Sequence, residues 1–308
     1  QAQRAAQLSK CDLLTGMVGE FPELQGLMGY YYALNDGEEP TVAHALNEQY
    51  MPRFAADDLP ESDLGLALSL ADRIDTLVGI FAIGQKPSGV KDPFKLRRHA
   101  LAVVRLLIAT PAQLNLSTLI EQAIVHYGAR ISVEPHLLDE LKTFILERLQ
   151  SYYQGQGLSV DLVHAVRARQ DDWLYDLDKR LAALQLFVKL PEASSLSAAC
   201  KRVNNLLSQA GRHSLSSVNE QLLEEGPEKF LYVHINQIAQ AVEPLYRSAD
   251  YGALLKLLAS LKEPVDLFFD KVMVMVEDQT IKANRLALLA SLQDLLQGVA
   301  DISLLQIG

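Results

Sequence analysis

Apolar residues in this 308-residue chain return every three, four or seven positions and almost nowhere every two, which commits nearly all of it to α-helix. Over 93–109, Phe94, Leu101, Val104 and Ile108 follow one another at steps of 7, 3 and 4 and are expected to share one helix face. Asp92 is placed to cap that helix, and Pro93 to fill its first turn, where a missing N–H costs nothing. Thr41, Ser117, Ser195 and Pro227 mark further starts. The stretch 62–83 reads as one long helix with Leu64, Leu68, Ala71, Asp75 and Val78 on one side, which sets an acid within an apolar stripe. The run Val272-Met273-Val274-Met275-Val276 has local strand propensity. It has no partner run, so it is assigned to a core helix. The expected fold class is all-α.

A chain of this length exceeds what one hydrophobic core usually serves, so two helical domains are expected. The break is placed where Lys189-Leu190-Pro191-Glu192-Ala193-Ser194-Ser195 joins Pro to small polar residues, giving 1–187 and 188–308. No long Gly, Ser or Pro tract interrupts either part, so everything should be folded. Apolar runs are broken well short of the roughly 20 residues of a membrane span, and no basic start leads into a signal-type stretch. A cytoplasmic protein with no membrane partner is expected. Cys11 and Cys200 lie far apart and read as reduced structural thiols. The chain opens on Gln1, inside helix-like text, and reads as the carboxy-terminal part of a longer protein.

The formal net charge of -10 weighs against a nucleic-acid partner, and no DNA-binding role is expected. Its distribution softens the objection. Residues 1–75 carry a local balance of -9, whereas 84–110 hold Lys86, Lys91, Lys95, Arg97, Arg98 and Arg105 against Asp92 alone. That is one positive island in an acidic chain. Lys95, Arg98 and Arg105 fall on one stripe of the 93–109 helix, with Arg97 off it and free to pair with an acid of the neighbouring helix. A cationic stripe of this kind either contacts phosphate or is simply solvated.

Catalytic signatures are missing. The seven histidines, His44, His99, His126, His136, His164, His213 and His234, form no pair at metal-ligand spacing, and no HExxH, CxxC or GxSxG is present. Each histidine reads as a surface or satisfied core residue. Gly79, Gly84 and Gly89 punctuate 78–91 without the Gly-Lys-Ser/Thr of a phosphate loop, so that segment reads as a turn between helices or as an RNA-facing edge. No catalytic residue, metal ligand or bound cofactor is assigned.

Four phrases carry a resemblance. They are Gly16-Met17-Val18-Gly19-Glu20-Phe21-Pro22-Glu23-Leu24-Gln25-Gly26, Ala71-Asp72-Arg73-Ile74-Asp75-Thr76-Leu77-Val78-Gly79-Ile80-Phe81, Lys91-Asp92-Pro93-Phe94-Lys95-Leu96-Arg97-Arg98, and Phe268 to Asp278 followed by Asn284-Arg285-Leu286-Ala287-Leu288-Leu289. Together, from about residue 4 to Gln306, the chain resembles the β subunit of the bacterial heterotetrameric glycyl-tRNA synthetase. The resemblance implies a degenerate HD-like domain followed by a helical-bundle anticodon-binding domain of the type shared with arginyl-tRNA synthetase. It also implies tRNA(Gly) and the synthetase α subunit as partners in an α2β2 assembly that ligates glycine to tRNA. ATP and Mg2+ are used there through the α subunit and not by this stretch, which should be inactive alone.

Within the HD-like text, Asp72 matches the distant metal-binding Asp, and Cys11-Asp12 falls where a His-Asp pair belongs. Cys11 in place of an imidazole leaves two carboxylates, too few for a divalent site. The alternative is that Asp12 and Asp72 bond to Lys10 or Arg73. The island contributes Lys91, Lys95, Arg98 and Arg105 as tRNA-binding candidates. The anticodon-type module contributes Lys201, Arg202, Asn205, Lys282 and Arg285, residue types that hold phosphates or read unpaired bases. Arg285 could equally bond Asp270 or Glu277 inside the module. Two rival readings are a metal-dependent HD-type phosphohydrolase, which lacks its imidazoles, and a helical protein-docking scaffold.

Overall fold

A computed structural model describes residues 1–130, 134–211 and 217–307. Among these the chain is α-helical, with no strand beyond an isolated bridge between Ser88 and Lys91. His213 lies outside the described residues. No described helix is long and apolar enough to cross a membrane. Two compact units emerge, residues 1–156 with 172–175, and 157–171 with 176–308. The contacts divide the chain near 156/157. The helices of 160–187 have their polar anchors in the carboxy-terminal part: the Asp301 amide donates to the Ala165 carbonyl at 2.8 Å, and the Tyr251 hydroxyl to Asp176 at 2.6 Å.

The first unit holds α1 (Ala2–Leu8), α2 (Gly16–Glu20), α3 (Leu27–Asn35), α4 (Pro40–Glu48), α5 (Asp63–Ala82), α6 (Leu96–Ala109), α7 (Leu116–Tyr127) and α8 (Leu137–Gly155). Helix α5 is its centre, packing on α1, α4, α6, α7 and α8. It starts where the Ser62 hydroxyl accepts the Gly65 amide, and it buries Leu70, Ile74, Leu77, Val78 and Phe81. At about 1.5–3 kcal/mol per fully buried large side chain, this face alone outweighs any cap. Asp75 is exposed, so the buried stripe runs through 70, 74, 77, 78 and 81 and contains no acidic intruder. Gly79 lies within α5, not in the turn after it. A Cβ there would sit 2.3 Å from the Tyr127 hydroxyl, which donates to the Asp75 carbonyl at 3.0 Å.

Helix α6 begins three residues later than expected. Asp92 does cap, but from outside the first turn: its carboxylate accepts the Leu96 amide at 2.8 Å and the Arg97 amide at 3.0 Å. Lys95 takes a left-handed conformation with φ +56° between them. Phe94 is therefore off the helix and exposed, while Leu96, Ala100, Val103, Val104 and Leu107 form the buried face. The buried face is thus shifted from the stripe of Phe94, Leu101, Val104 and Ile108 that the spacing predicts, because the helix starts after residue 94.

The second unit holds α9 (Val160–Arg167), α10 (Leu174–Phe187) from Asp176 on, α11 (Ala193–Ala210), α12 (Pro227–Ser248), α13 (Tyr251–Ala259), α14 (Lys262–Lys271) and α15 (Gln279–Leu296). Helix α11 packs on α14 and α15, and α12 on α13, α14 and α15. Residues 272–276 are not a core helix. They form an irregular link in which Val274 is buried and Met273 and Met275 are exposed, and α15 starts after Asp278 caps the amides of Thr280 and Ile281. Cys200 is buried and Cys11 exposed, so only the former is a core thiol.

Candidate functional site

The positive island and the HD-like text meet in the first unit at one recess. Lys10, Gln25, Gln49, Tyr50, Arg53, Asp72, Arg73, Lys95, Arg98 and His99 surround a cavity of about 320 Å³. Its floor is set by Arg73 of α5, which is buried and donates to the carbonyls of Gln49, Tyr50, Pro52 and Ser69 at 2.9–3.1 Å. Burial pulls this guanidinium down to about 10, which still leaves it charged near neutrality. One arginine thus ties the segment after α4 to α5. Glu48 does the same for the start of α5, accepting the amides of Glu61 and Ser62.

The degenerate HD positions bond to different partners. Asp12 is buried, and its two oxygens accept the Gly26 amide at 2.7 Å and the Tyr50 hydroxyl at 2.8 Å. Asp72 receives the Lys10 ammonium at 3.0 Å, and the same ammonium lies 4.3 Å from the centre of the Tyr50 ring. Lys10 occupies the place beside Asp72 that a cation would need, and both Asp12 oxygens are spent on fixed donors. These residues do not fit a divalent metal, which needs several free anionic or imidazole donors. Among the described residues no group of three or more His, Cys, Asp or Glu side chains could hold one. Cys11 points its exposed thiol elsewhere, in a second cavity with Asp12, Thr15 and Tyr32.

Of the island's cations, Lys91, Lys95 and Arg98 are exposed. Arg105 is not free. Its guanidinium donates to the carbonyls of Phe54 at 3.4 Å and Asp57 at 2.7 Å, tying the 54–57 loop to α6. Arg97 donates to the Gly89 carbonyl at 2.7 Å and lies 4.0 Å from Asp92 in its own loop, not beside a neighbouring helix. Several residues of the surface escaped sequence reasoning. Arg98 also lines a shallow groove of about 760 Å³ with Phe54, Leu101, Arg148 and Tyr152, and Phe54 is 57% exposed. An exposed aromatic beside guanidinium groups is a surface on which an unpaired base can stack. His99 reads from the sequence as a surface or satisfied core residue, yet its buried Nδ1 has no hydrogen-bond partner among the described residues. Burial, then the nearby Arg73 charge, pushes its pKa down. No local signal marks Arg53 or His99, because only the fold brings them to α6, whereas Lys10 is a partner the sequence offers for Asp72.

In the second unit, α11 exposes Lys201, Arg202 and Asn205. Lys201 donates to the Leu305 carbonyl at 3.2 Å, and the Arg202 guanidinium lies 4.3 Å over the Phe269 ring. Both contacts hold the side chains near the surface and leave donors over. Lys282 is half-buried at the start of α15. Arg285 is buried, and its partners are neither Asp270 nor Glu277: it donates to Glu228 at 2.5 Å, to Glu224 at 3.1 Å and to the Met273 carbonyl at 2.9 Å. Glu228 in turn accepts the Glu224 amide. Arg285 therefore fastens the 272–276 link to the first turn of α12.

Comparison with known proteins finds one family match towards each end of the chain. Residues 1–168 match the family described as glycyl-tRNA synthetase beta subunit, and residues 196–305 match the DALR anticodon binding domain. The chain is 50% identical over 305 residues to the glycine–tRNA ligase beta subunit of Pseudomonas putida, covering 99% of this chain and 44% of that protein. The corresponding subunit of Chromohalobacter salexigens is also 50% identical, and that of Ectopseudomonas mendocina 49%, each with the same coverage. The chain thus spans less than half the length of these relatives.

Proposed function

The chain belongs to the family of glycyl-tRNA synthetase β subunits, and we propose that this stretch is the subunit's tRNA-binding part, gripping the RNA body with the first unit and the anticodon with the second. The observation that carries the proposal is the match of 196–305 to an anticodon-binding domain on a unit whose α11 exposes Lys201, Arg202 and Asn205 along one helix. Residues three and four apart share a helix face, so Lys201 and Asn205 would meet the same stretch of RNA. In the first unit Lys95 and Arg98 are the candidates for phosphate contact and Lys91 a nearby third, while Arg105 and Arg285 act inside the fold.

In the whole protein the reaction would be ATP-dependent ligation of glycine to tRNA(Gly), with Mg2+ and ATP handled by a separate α subunit in the cytoplasm. Among the described residues no acidic or imidazole cluster suits a metal ion, and the part proposed for this stretch is to hold and orient tRNA. A titration against tRNA(Gly), the same tRNA with its anticodon changed, and an unrelated tRNA tests the proposal. Tighter binding of tRNA(Gly), partly lost with the anticodon, is expected. Equal affinity for all three would refute anticodon reading, and no binding at low salt would refute the proposal as a whole.

A further inference from the structure

The recess beside α6 concentrates charge in a way the rest of the first unit does not. Lys10, Arg53, Arg73, Lys95 and Arg98 face it with Asp72 as the sole lining carboxylate, in a chain whose net charge is -10. Asp72 is already neutralised by Lys10 at 3.0 Å, and Arg73 is fixed in place by backbone carbonyls. Lys95 and Arg98 are exposed, and their side chains make no hydrogen bond or ion pair with the described residues. Arg53 gives one guanidinium nitrogen to the Gln25 carbonyl at 2.8 Å and keeps the others. The first amides of α6 are spent on Asp92, so side chains, not the helix end, supply the donors.

Two details turn this from a charged patch into a receptor. His99 lines the cavity, and its buried Nδ1 lacks a partner among the described residues, although a buried polar atom is ordinarily satisfied. Lys95, another lining residue, is held at φ +56°, a conformation uncommon outside glycine and asparagine. A guanidinium fork flanked by ammonium groups matches the oxygens of a phosphate better than a single carboxylate.

We propose that the recess lined by Lys10, Arg53, Asp72, Lys95, Arg98 and His99 is a phosphate-binding pocket, with Arg53, Lys95 and Arg98 contacting the phosphate oxygens and Lys10 holding Asp72 out of their way. The pocket stands on its own geometry and not on the tRNA reading. The phosphate comes either from RNA or from a free phosphate compound, and the two sources share this chemistry.

Calorimetric titration of the chain with inorganic pyrophosphate at low salt tests it, alongside the Lys95→Asn/Arg98→Gln variant. Asparagine tolerates the left-handed conformation, so the variant should keep its fold, checked by circular dichroism. A control, Lys229→Gln/Arg247→Gln, removes the same charge from the second unit. One saturable site is expected, weakened at least tenfold in the first variant and unchanged in the control. A second variant, Arg53→Gln, should weaken it as well. Absence of saturable binding, or equal weakening in the control, overturns the pocket. With binding found, tRNA that competes with pyrophosphate assigns the phosphate to RNA, and simultaneous binding assigns it to a free compound. Pyrophosphate binding without any tRNA binding leaves the pocket standing while the tRNA reading falls.

Discussion

Arg285 offers the sharpest separation between a structural and an RNA-binding role. Replacement by Met keeps much of the side-chain volume and deletes three donors. The pair to Glu224 contributes little, because that carboxylate is 66% exposed and exposed pairs are worth about 0–1 kcal/mol. Glu228 is different: its side chain is 1% exposed and keeps only the Glu224 amide once Arg285 is gone. Leaving one partner of a buried pair behind costs about 3–5 kcal/mol. With a urea slope of about 2 kcal/mol per molar, the second unit's midpoint should fall by roughly 1.5–2.5 M. The assay is pulse-labelled amide exchange along a urea series, read in peptides from 227–296 of the second unit. Adding Glu228→Gln should restore about 1–2 kcal/mol, since it removes the stranded charge. A midpoint within about 0.3 M of the parent, coupled to lost tRNA affinity, would refute the structural role.

Three further outcomes are expected. Burial, with Asp301 nearby, pushes the Cys200 thiol up to about 12, so at pH 8 iodoacetamide should label Cys11 and spare Cys200; mass spectrometry after tryptic digestion decides, and equal labelling of both refutes the buried placement. The raised value also means that Cys200 favours the fold fully below its unfolded value of about 8.5 and loses that contribution as pH rises towards about 12; the alkaline fall in thermal midpoint should shrink in Cys200→Ala. His99 has the opposite sign: its lowered pKa means the unfolded chain takes the proton first, so stability present above about 6.5 is lost as pH falls, and His99→Gln should flatten the thermal midpoint between pH 6.5 and 5.

The helical class was legible because it is written in period, and period survives without tertiary knowledge. The starts at Thr41 and Ser117 fell within two residues of the helices at Pro40 and Leu116, and Pro227 marked its helix correctly. What failed was phase. Asp92 has the chemistry of a cap, but a three-residue excursion through a left-handed Lys95 separates it from the helix it caps, and nothing in the letters 92–96 announces that. At 272–276 the apolar run was over-read for a related reason. One buried valine anchors the link, and two methionines reach outward, so the hydrophobicity reports a surface and not a core.

Site residues were legible by type and illegible by partner. Lys95, Arg98 and Arg105 looked equivalent on a helical wheel, and only the folded loop 54–57, arriving from outside the helix, turns Arg105 inward while leaving Arg98 in the open. The same holds for Lys10. Beside Cys11-Asp12 it looked like a neighbour of a lost metal site, yet in the fold it stacks on Tyr50 and cancels Asp72. That exchange alters what the recess can do, because a cation carried on the chain cannot leave. A metal site pairs acidic ligands with a removable charge and so selects metals. Replacing the removable charge with a fixed ammonium, and surrounding it with Arg53, Lys95 and Arg98, makes the net field at the recess permanently positive. Such a recess favours an anion.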